Sequence, residues 1–254
     1  MKVISLGMGV QSTAMYLMSS MGILERADAA IFADPCAEHP KTYEILDWLV
    51  KWQSDHNGIP LYVDKKDILS DILNKTNGQR VASIPSFTEF GGMIRRQCTS
   101  EYKVMVVKKR MRQLMGLKKG QRMKPSEIWL GITMDEASRM KDSQMYNVFY
   151  CYPLICQNLR RSDCIKFFDD NDFPVPIKSS CVFCPYHSDK FWKQIKDEDG
   201  YAWETSLKVD EKIRENSGLN EKNYLHAARI PLTDVQFADQ ASLWEEECEG
   251  YCGL

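Results

Sequence analysis

Cys181-Val182-Phe183-Cys184 carries two thiols three residues apart, the spacing at which a pair of thiolates grips one metal ion or cluster iron. Such a site takes two more ligands. Cys164 precedes the pair by 17 residues and Cys98 follows the basic Arg95-Arg96, so Cys98, Cys164, Cys181 and Cys184 make up a four-sulfur set. By ligand type alone that set suits zinc and an iron–sulfur cluster equally, with His187 as a further zinc-ligand candidate. A set of buried, reduced thiols is the alternative. Nine cysteines, an odd number, in 254 residues read as metal or redox chemistry in a reducing compartment rather than as a disulfide framework. Cys151 and Cys156 lie in the apolar run Tyr150–Cys156 and are expected to be small core residues.

A second group surrounds the glycines near the N-terminus. Ser5-Leu6-Gly7-Met8-Gly9-Val10-Gln11-Ser12-Thr13 joins an expected strand to an expected helix. Gly7 and Gly9 let backbone approach a ligand, and Ser5, Gln11, Ser12 and Thr13 add polar groups beside the free N–H groups of a helix start. That chemistry favours phosphate or sulfate oxygens, although a glycine turn made for packing fits the same residues. No Gly-Lys-Ser/Thr follows and no G-x-G-x-x-G is present. Asp34, at the end of the second expected strand, is placed to meet a ribose or a metal-bound phosphate at the same edge, or to shape a turn. Cys36 sits at that edge without a partner in view.

The elements that must position these groups alternate in type. Residues 3–6, 29–33 and 61–63 read as strands, and residues 11–24 and 41–55 as helices with Ala14, Leu17, Met18 and Met21, and Ile45, Leu46, Leu49 and Trp52, on their apolar faces. Residues 74–96 read as a long loop, 100–115 as a basic amphipathic helix, and 127–132 and 147–152 as further strands. From Arg160 the signals are helical. The expectation is an α/β protein with a Rossmann-like, doubly wound parallel sheet over residues 1–190 and a cysteine-bearing helical extension over residues 191–254.

The order of motifs resembles the phosphoadenosine phosphosulfate (PAPS) reductase branch of the PP-loop superfamily over roughly residues 1–190. Gly9-Val10-Gln11-Ser12 is similar to that family's Ser/Gly-rich loop. Asp34-Pro35-Cys36 through Pro40-Lys41-Thr42-Tyr43 resembles its Asp-Thr-Gly…Pro-Glu-Thr-Tyr stretch, and Cys98 through Lys103 its Cys–Cys-x-x-x-Lys segment. Gly131-Ile132-Thr133 with Ser138-Arg139 resembles its Gly-x-Arg…Ser-x-Arg, and Cys181–Cys184 its Cys-x-x-Cys. The terminal Cys252-Gly253-Leu254 is similar to its mobile tail, whose cysteine attacks the substrate sulfur. The resemblance implies an adenine nucleotide, ATP or an adenylylated sulfate (PAPS or APS), accompanied by Mg²⁺ where ATP is used. It implies Gly131 and Arg139 as further nucleotide contacts, and a [4Fe–4S] cluster ahead of Zn²⁺ on Cys98, Cys164, Cys181 and Cys184. It implies Cys252 and Cys248 as catalytic thiols, with a thioredoxin-like reductant as partner. Departures are Met8 for a loop glycine, Gln11 where ATP-using relatives carry Asp, Pro35-Cys36 for Thr-Gly, and Thr133 for an arginine.

Function classes are bounded by charge. Lys+Arg 33 against Asp+Glu 35 leaves a net −2, which by itself indicates no polyanionic partner. Residues 95–124, however, hold eleven Lys/Arg and one acid, Glu101. That strip is expected to serve the nucleotide, with tRNA or DNA as the alternative. Polar residues interrupt the uncharged stretch 3–24, so no membrane segment or signal peptide is expected, and the expected location is cytoplasmic. The leading expectation is sulfonucleotide reduction. The alternatives are an ATP-dependent sulfurtransferase acting on tRNA or DNA, and a non-catalytic nucleotide-binding protein.

Overall fold

The computed structural model describes residues 1–74, 84–215 and 221–237. In chain order the elements are β1 (Lys2–Leu6), α1 (Val10–Ser20), β2 (Ala29–Asp34), α2 (Pro40–Asp55), β3 (Leu61–Lys65), α3 (Ile68–Leu73) and β4 (Phe87–Thr88). A π-helical turn, Thr99–Val104, leads into α4 (Met105–Leu114), followed by β5 (Ser126–Leu130), a 3₁₀ turn (Met134–Arg139), β6 (Val148–Cys151), α5 (Pro153–Cys156) and α6 (Arg161–Asp170). Then come α7 (Asp189–Glu198), α8 (Gly200–Glu215) and β7 (Asn223–Tyr224).

Five strands form a parallel sheet in the order β3-β2-β1-β5-β6, while β4 and β7 pair antiparallel as a separate ribbon. The sheet is covered on both faces, which is why its strands read as apolar runs. All six residues of β2 are buried. Ala30 and Phe32 face a core shared with Leu17 of α1, Leu49 of α2 and Phe168 of α6. Ala29, Ile31 and Ala33 face the opposite core, with Val107 and Met111 of α4. The architecture is α/β and compatible with the Rossmann-like expectation.

A third core joins α3, α7 and α8 through Ile72, Trp192, Ile195, Val209 and Ile213, and it includes Val182 and Phe183 from between the paired cysteines. Residues on either side of position 190 therefore share one apolar cluster. Asp210, 1% exposed, accepts from the backbone N–H of Leu225 and of Leu232, both at 3.0 Å, and ion-pairs with Arg214. Among the described residues no helix is long and apolar enough to cross a membrane.

Two expected elements differ in detail. Helix α1 stops at Ser20, because Gly22 at φ +78° turns the chain and lets the N–H of Ile23 reach back to the Met18 carbonyl at 2.9 Å. Met21, expected on the apolar face, is consequently 43% exposed. The expected loop at 74–96 includes β4; of the rest, residues 75–83 lie outside the described residues.

Candidate functional site

From β1 the chain winds through α1 to β2 on one side, whereas β5 lies on the other side of β1, so the strand order reverses between β1 and β5. In open α/β sheets, ligands bind at the carboxyl edge of such a switch point. The loops at that edge are Gly7–Gly9 after β1, Pro35–His39 after β2 and Gly131–Thr133 after β5.

The first loop is held by its own side chains. The Gly7 N–H donates to Ser12 Oγ at 3.1 Å, and the Ser12 hydroxyl donates to the Gly9 carbonyl at 3.3 Å. Met8 is buried and adopts φ +61°, a left-handed conformation that costs an L-residue about 1–2 kcal/mol. Gly9 is the N-cap of α1 with an ordinary extended backbone, φ −88° and ψ 173°, and among the described residues no side chain caps the helix. A Cβ at Gly9 would meet nothing within 4 Å among the described residues. Neither backbone strain nor packing therefore calls for glycine there. The first turn of α1 carries no acid, and the Thr13 hydroxyl is fully buried without a hydrogen-bond partner among the described residues. Uncapped N–H groups and the positive end of the helix dipole suit an anion.

Gly131 has a different reason. A Cβ there would lie 2.6 Å from the Ser12 nitrogen and 2.7 Å from its Cα, so only glycine lets the end of β5 close on the start of α1. Thr133, two residues on, is fully buried, and its hydroxyl has no partner among the described residues. Gln11 bridges the margin: its Nε2 donates to Glu136 at 3.3 Å, and its Oε1 accepts from Arg161 at 3.3 Å. Arg139 ion-pairs with Glu136, and the Arg161 N–H donates to Asp135 at 2.7 Å. Glu136 and Arg161 were not singled out from sequence. No motif marks them, and only the fold brings residues 11, 136 and 161 together.

The β2 loop is built around Asp34. Its Oδ1 accepts from the Cys36 N–H at 2.7 Å and from the Tyr43 hydroxyl at 2.9 Å, and the residue is 1% exposed. Asp34 thus shapes the turn, and Cys36 takes a left-handed φ of +57°. Burial, then the charges of Asp34 and Asp67, push the Cys36 thiol pKa up. Burial and Asp34 do the same to Tyr43. Ser5 lies apart, on the α4 face of the sheet, in a gap of about 20 Å³ shared with Lys103 and Tyr150.

The paired cysteines dock on this loop. Cys181 bridges Glu38, and the Val182 N–H donates to the Ala37 carbonyl at 2.8 Å. The Glu38 side chain, fully buried, meets Lys103 Nζ at 3.3 Å and accepts from the Ser179 hydroxyl at 2.9 Å. The Cys184 N–H donates to the Cys181 carbonyl at 3.0 Å, and His187 Nε2 lies 2.9 Å from the same carbonyl. Cys98 and Cys181 pack against the α3–α7–α8 core. Cys164 does not join them: it is fully buried in the core against α1, and burial pushes its thiol up to about 12. Among the described residues no group of three or more His, Cys, Asp or Glu is arranged to hold a metal ion. Cys164 therefore lies in a different core from Cys98 and Cys181. Cys248 and Cys252 lie outside the described residues.

The basic strip divides. Lys103 is paired at the crevice, and Arg110 forms a two-pronged ion pair with Asp64. Lys108, Lys109, Lys118, Lys119, Arg122 and Lys124 are exposed and form no ion pair among the described residues. Residues 116–124 lead into the start of β5, which places them at the edge of the sheet opposite the crevice. A scan against protein-family models and a search of curated proteins both return no match for this chain.

Proposed function

We propose that the chain binds an adenine nucleotide at the carboxyl edge of β1 and β5 and is a PAPS reductase-like enzyme of PP-loop type. The observation that carries the nucleotide reading is Gly9, a glycine that neither backbone strain nor packing requires, opening onto free space at an uncapped helix N-terminus beside the switch point. Gly7, Ser12 and Thr13 complete the phosphate cradle, and Arg139 and Arg161 supply cations at its margin. In the reductase reading the Cys252 thiolate attacks the sulfur of the sulfonucleotide and expels the nucleoside phosphate, which leaves an S-sulfocysteine. A second thiol, Cys248 or a thioredoxin-like partner, then attacks the Cys252 sulfur. It forms a disulfide and releases sulfite.

Gly9→Val tests the cradle. The extended backbone accepts a branched residue, but the side chain fills the space a phosphate would take. The expected result is a folded variant, at most about 1 kcal/mol less stable for the loss of a favoured N-cap residue, and a loss of ATP or PAPS affinity of at least about 100-fold by calorimetry, near 3 kcal/mol. Retained affinity in that folded variant removes the loop from the site.

A second reading, nucleic-acid binding by a sulfurtransferase, is favoured by one observation: the exposed cations at positions 108–124 extend to the edge opposite the crevice, where a nucleotide in the cradle does not reach.

A further inference from the structure

We infer that a cleft one strand further from the switch point, between α2, α3 and α8, is a second binding site, and that it takes a small molecule with an apolar body and a positively charged amine. The cleft has a volume of about 380 Å³, near the lower end for small-molecule sites. Its floor is the Cys36–Glu38 turn, and Leu69 and Val182 give it apolar walls.

Charge sets the ligand class. The lining holds three carboxylates, Glu38, Glu44 and Asp47, and no Lys, Arg or His. Glu38 is already compensated by Lys103 and Ser179. Glu44 and Asp47 stand three residues apart on one face of α2, exposed and without an ion pair among the described residues. An anion would be repelled there, and a cation would meet uncompensated negative charge at the rim.

Two groups on α8 carry the argument past charge. Thr205 lines the cleft at 6% exposure, and its hydroxyl has no hydrogen-bond partner among the described residues. Its oxygen, unlike those of Thr13 and Thr42, is not sealed from solvent, so it is open to a ligand in the cleft. Tyr201, one helical turn earlier on the same face, is 63% exposed at the cleft, where its ring can meet an ammonium group. The inference stands on these groups and does not need the nucleotide reading. If both hold, nucleotide and amine occupy neighbouring strand ends of one sheet.

The test is titration of the full chain with 2-phenylethylammonium, 2-phenylethanol and 3-phenylpropionate, followed by NMR or calorimetry. The ammonium probe is expected to saturate one site at least tenfold more tightly than the alcohol, with no binding of the carboxylate. Glu44→Gln with Asp47→Asn, both at exposed positions, should weaken the ammonium probe tenfold or more and leave the alcohol unchanged. Thr205→Val should also weaken the ammonium probe. Equal affinity for ammonium and alcohol, or full affinity in the double variant, overturns the ligand class. Failure of every probe to saturate overturns the site. Repeating the titration on Gly9→Val separates the two readings, because that variant is expected to lose nucleotide and keep the amine.

Discussion

Gly9 and Gly131 are the same residue type serving opposite ends. At Gly131 the neighbouring Ser12 backbone is too close for any Cβ, so Gly131→Ala should cost about 1–3 kcal/mol in chemical denaturation and displace the start of α1. Gly9→Ala should cost no more than about 1 kcal/mol, because the loss of a favoured N-cap residue is offset by restriction of the unfolded chain. Equal losses from the two would mean that the cradle closes more tightly than this geometry. Cys164 gives a second residue-scale test. Fully buried, with its thiol pushed up to about 12, it should resist alkylation in the native protein and label only on unfolding. Cys164→Ala should leave iron, zinc and sulfide content of anaerobically prepared protein unchanged. Loss of metal in that variant would restore the four-cysteine set.

Helix α2 shows how one element couples the site to pH. His39 is its N-cap: Nδ1 accepts from the Lys41 N–H at 3.2 Å, while Nε2 faces Asp199 at 3.6 Å. Burial lowers the His39 pKa below its usual 6.5, and the opposing pull of Asp199 is weaker. Protonation at Nδ1 would also abolish the cap. Because the folded state resists the proton, this contribution to stability is complete above pH 6.5 and is lost as pH falls through the lowered value. His39→Asn, which keeps an acceptor without a titrating ring, should flatten the fall in melting temperature below pH 6.5 relative to the wild type. An unchanged pH profile would assign the dependence to other groups. Strand and helix periods were legible in the sequence for β1, β2, α1 and α2, because each buries a continuous face, and for the edge strand β3, whose Leu61, Tyr62 and Val63 are half-buried. Helix α4 was legible only in part. A π-helical turn at Thr99–Val104 precedes it, and Val107 and Met111 point inward while Leu114 is 36% exposed.

At the scale of the molecule, the exposed cations of α4 and residues 116–124 make a surface that the crevice does not use. If it engages nucleic acid, binding should weaken steeply with salt, with a log–log slope of about −0.7 per phosphate on single strands and about −0.9 on duplex. Replacing Lys118, Lys119 and Lys124 with Gln should lower the magnitude of that slope by about 2 and leave ATP affinity unchanged. Weak, salt-insensitive retention of tRNA and DNA would leave the strip as a solvated surface and retire the second reading.

The sequence by itself determined the alternation of strands and helices, the glycine loop between the first pair, and the paired cysteines. These are local: period, turn chemistry and spacing act within one element or between neighbours in the chain. Tertiary structure alone decided which glycine answers to packing and which to open space, since that depends on how closely β5 approaches α1. It alone separated Cys164 from Cys98 and Cys181, because residues near in sequence can face different cores once helices cover both sides of a sheet and a third core forms beyond it. The bridge from Gln11 to Glu136 and Arg161, and the cleft walled by α2, α3 and α8, arise from the same cause. Parallel strands need long crossovers, so the groups that meet at their shared edge come from distant parts of the chain.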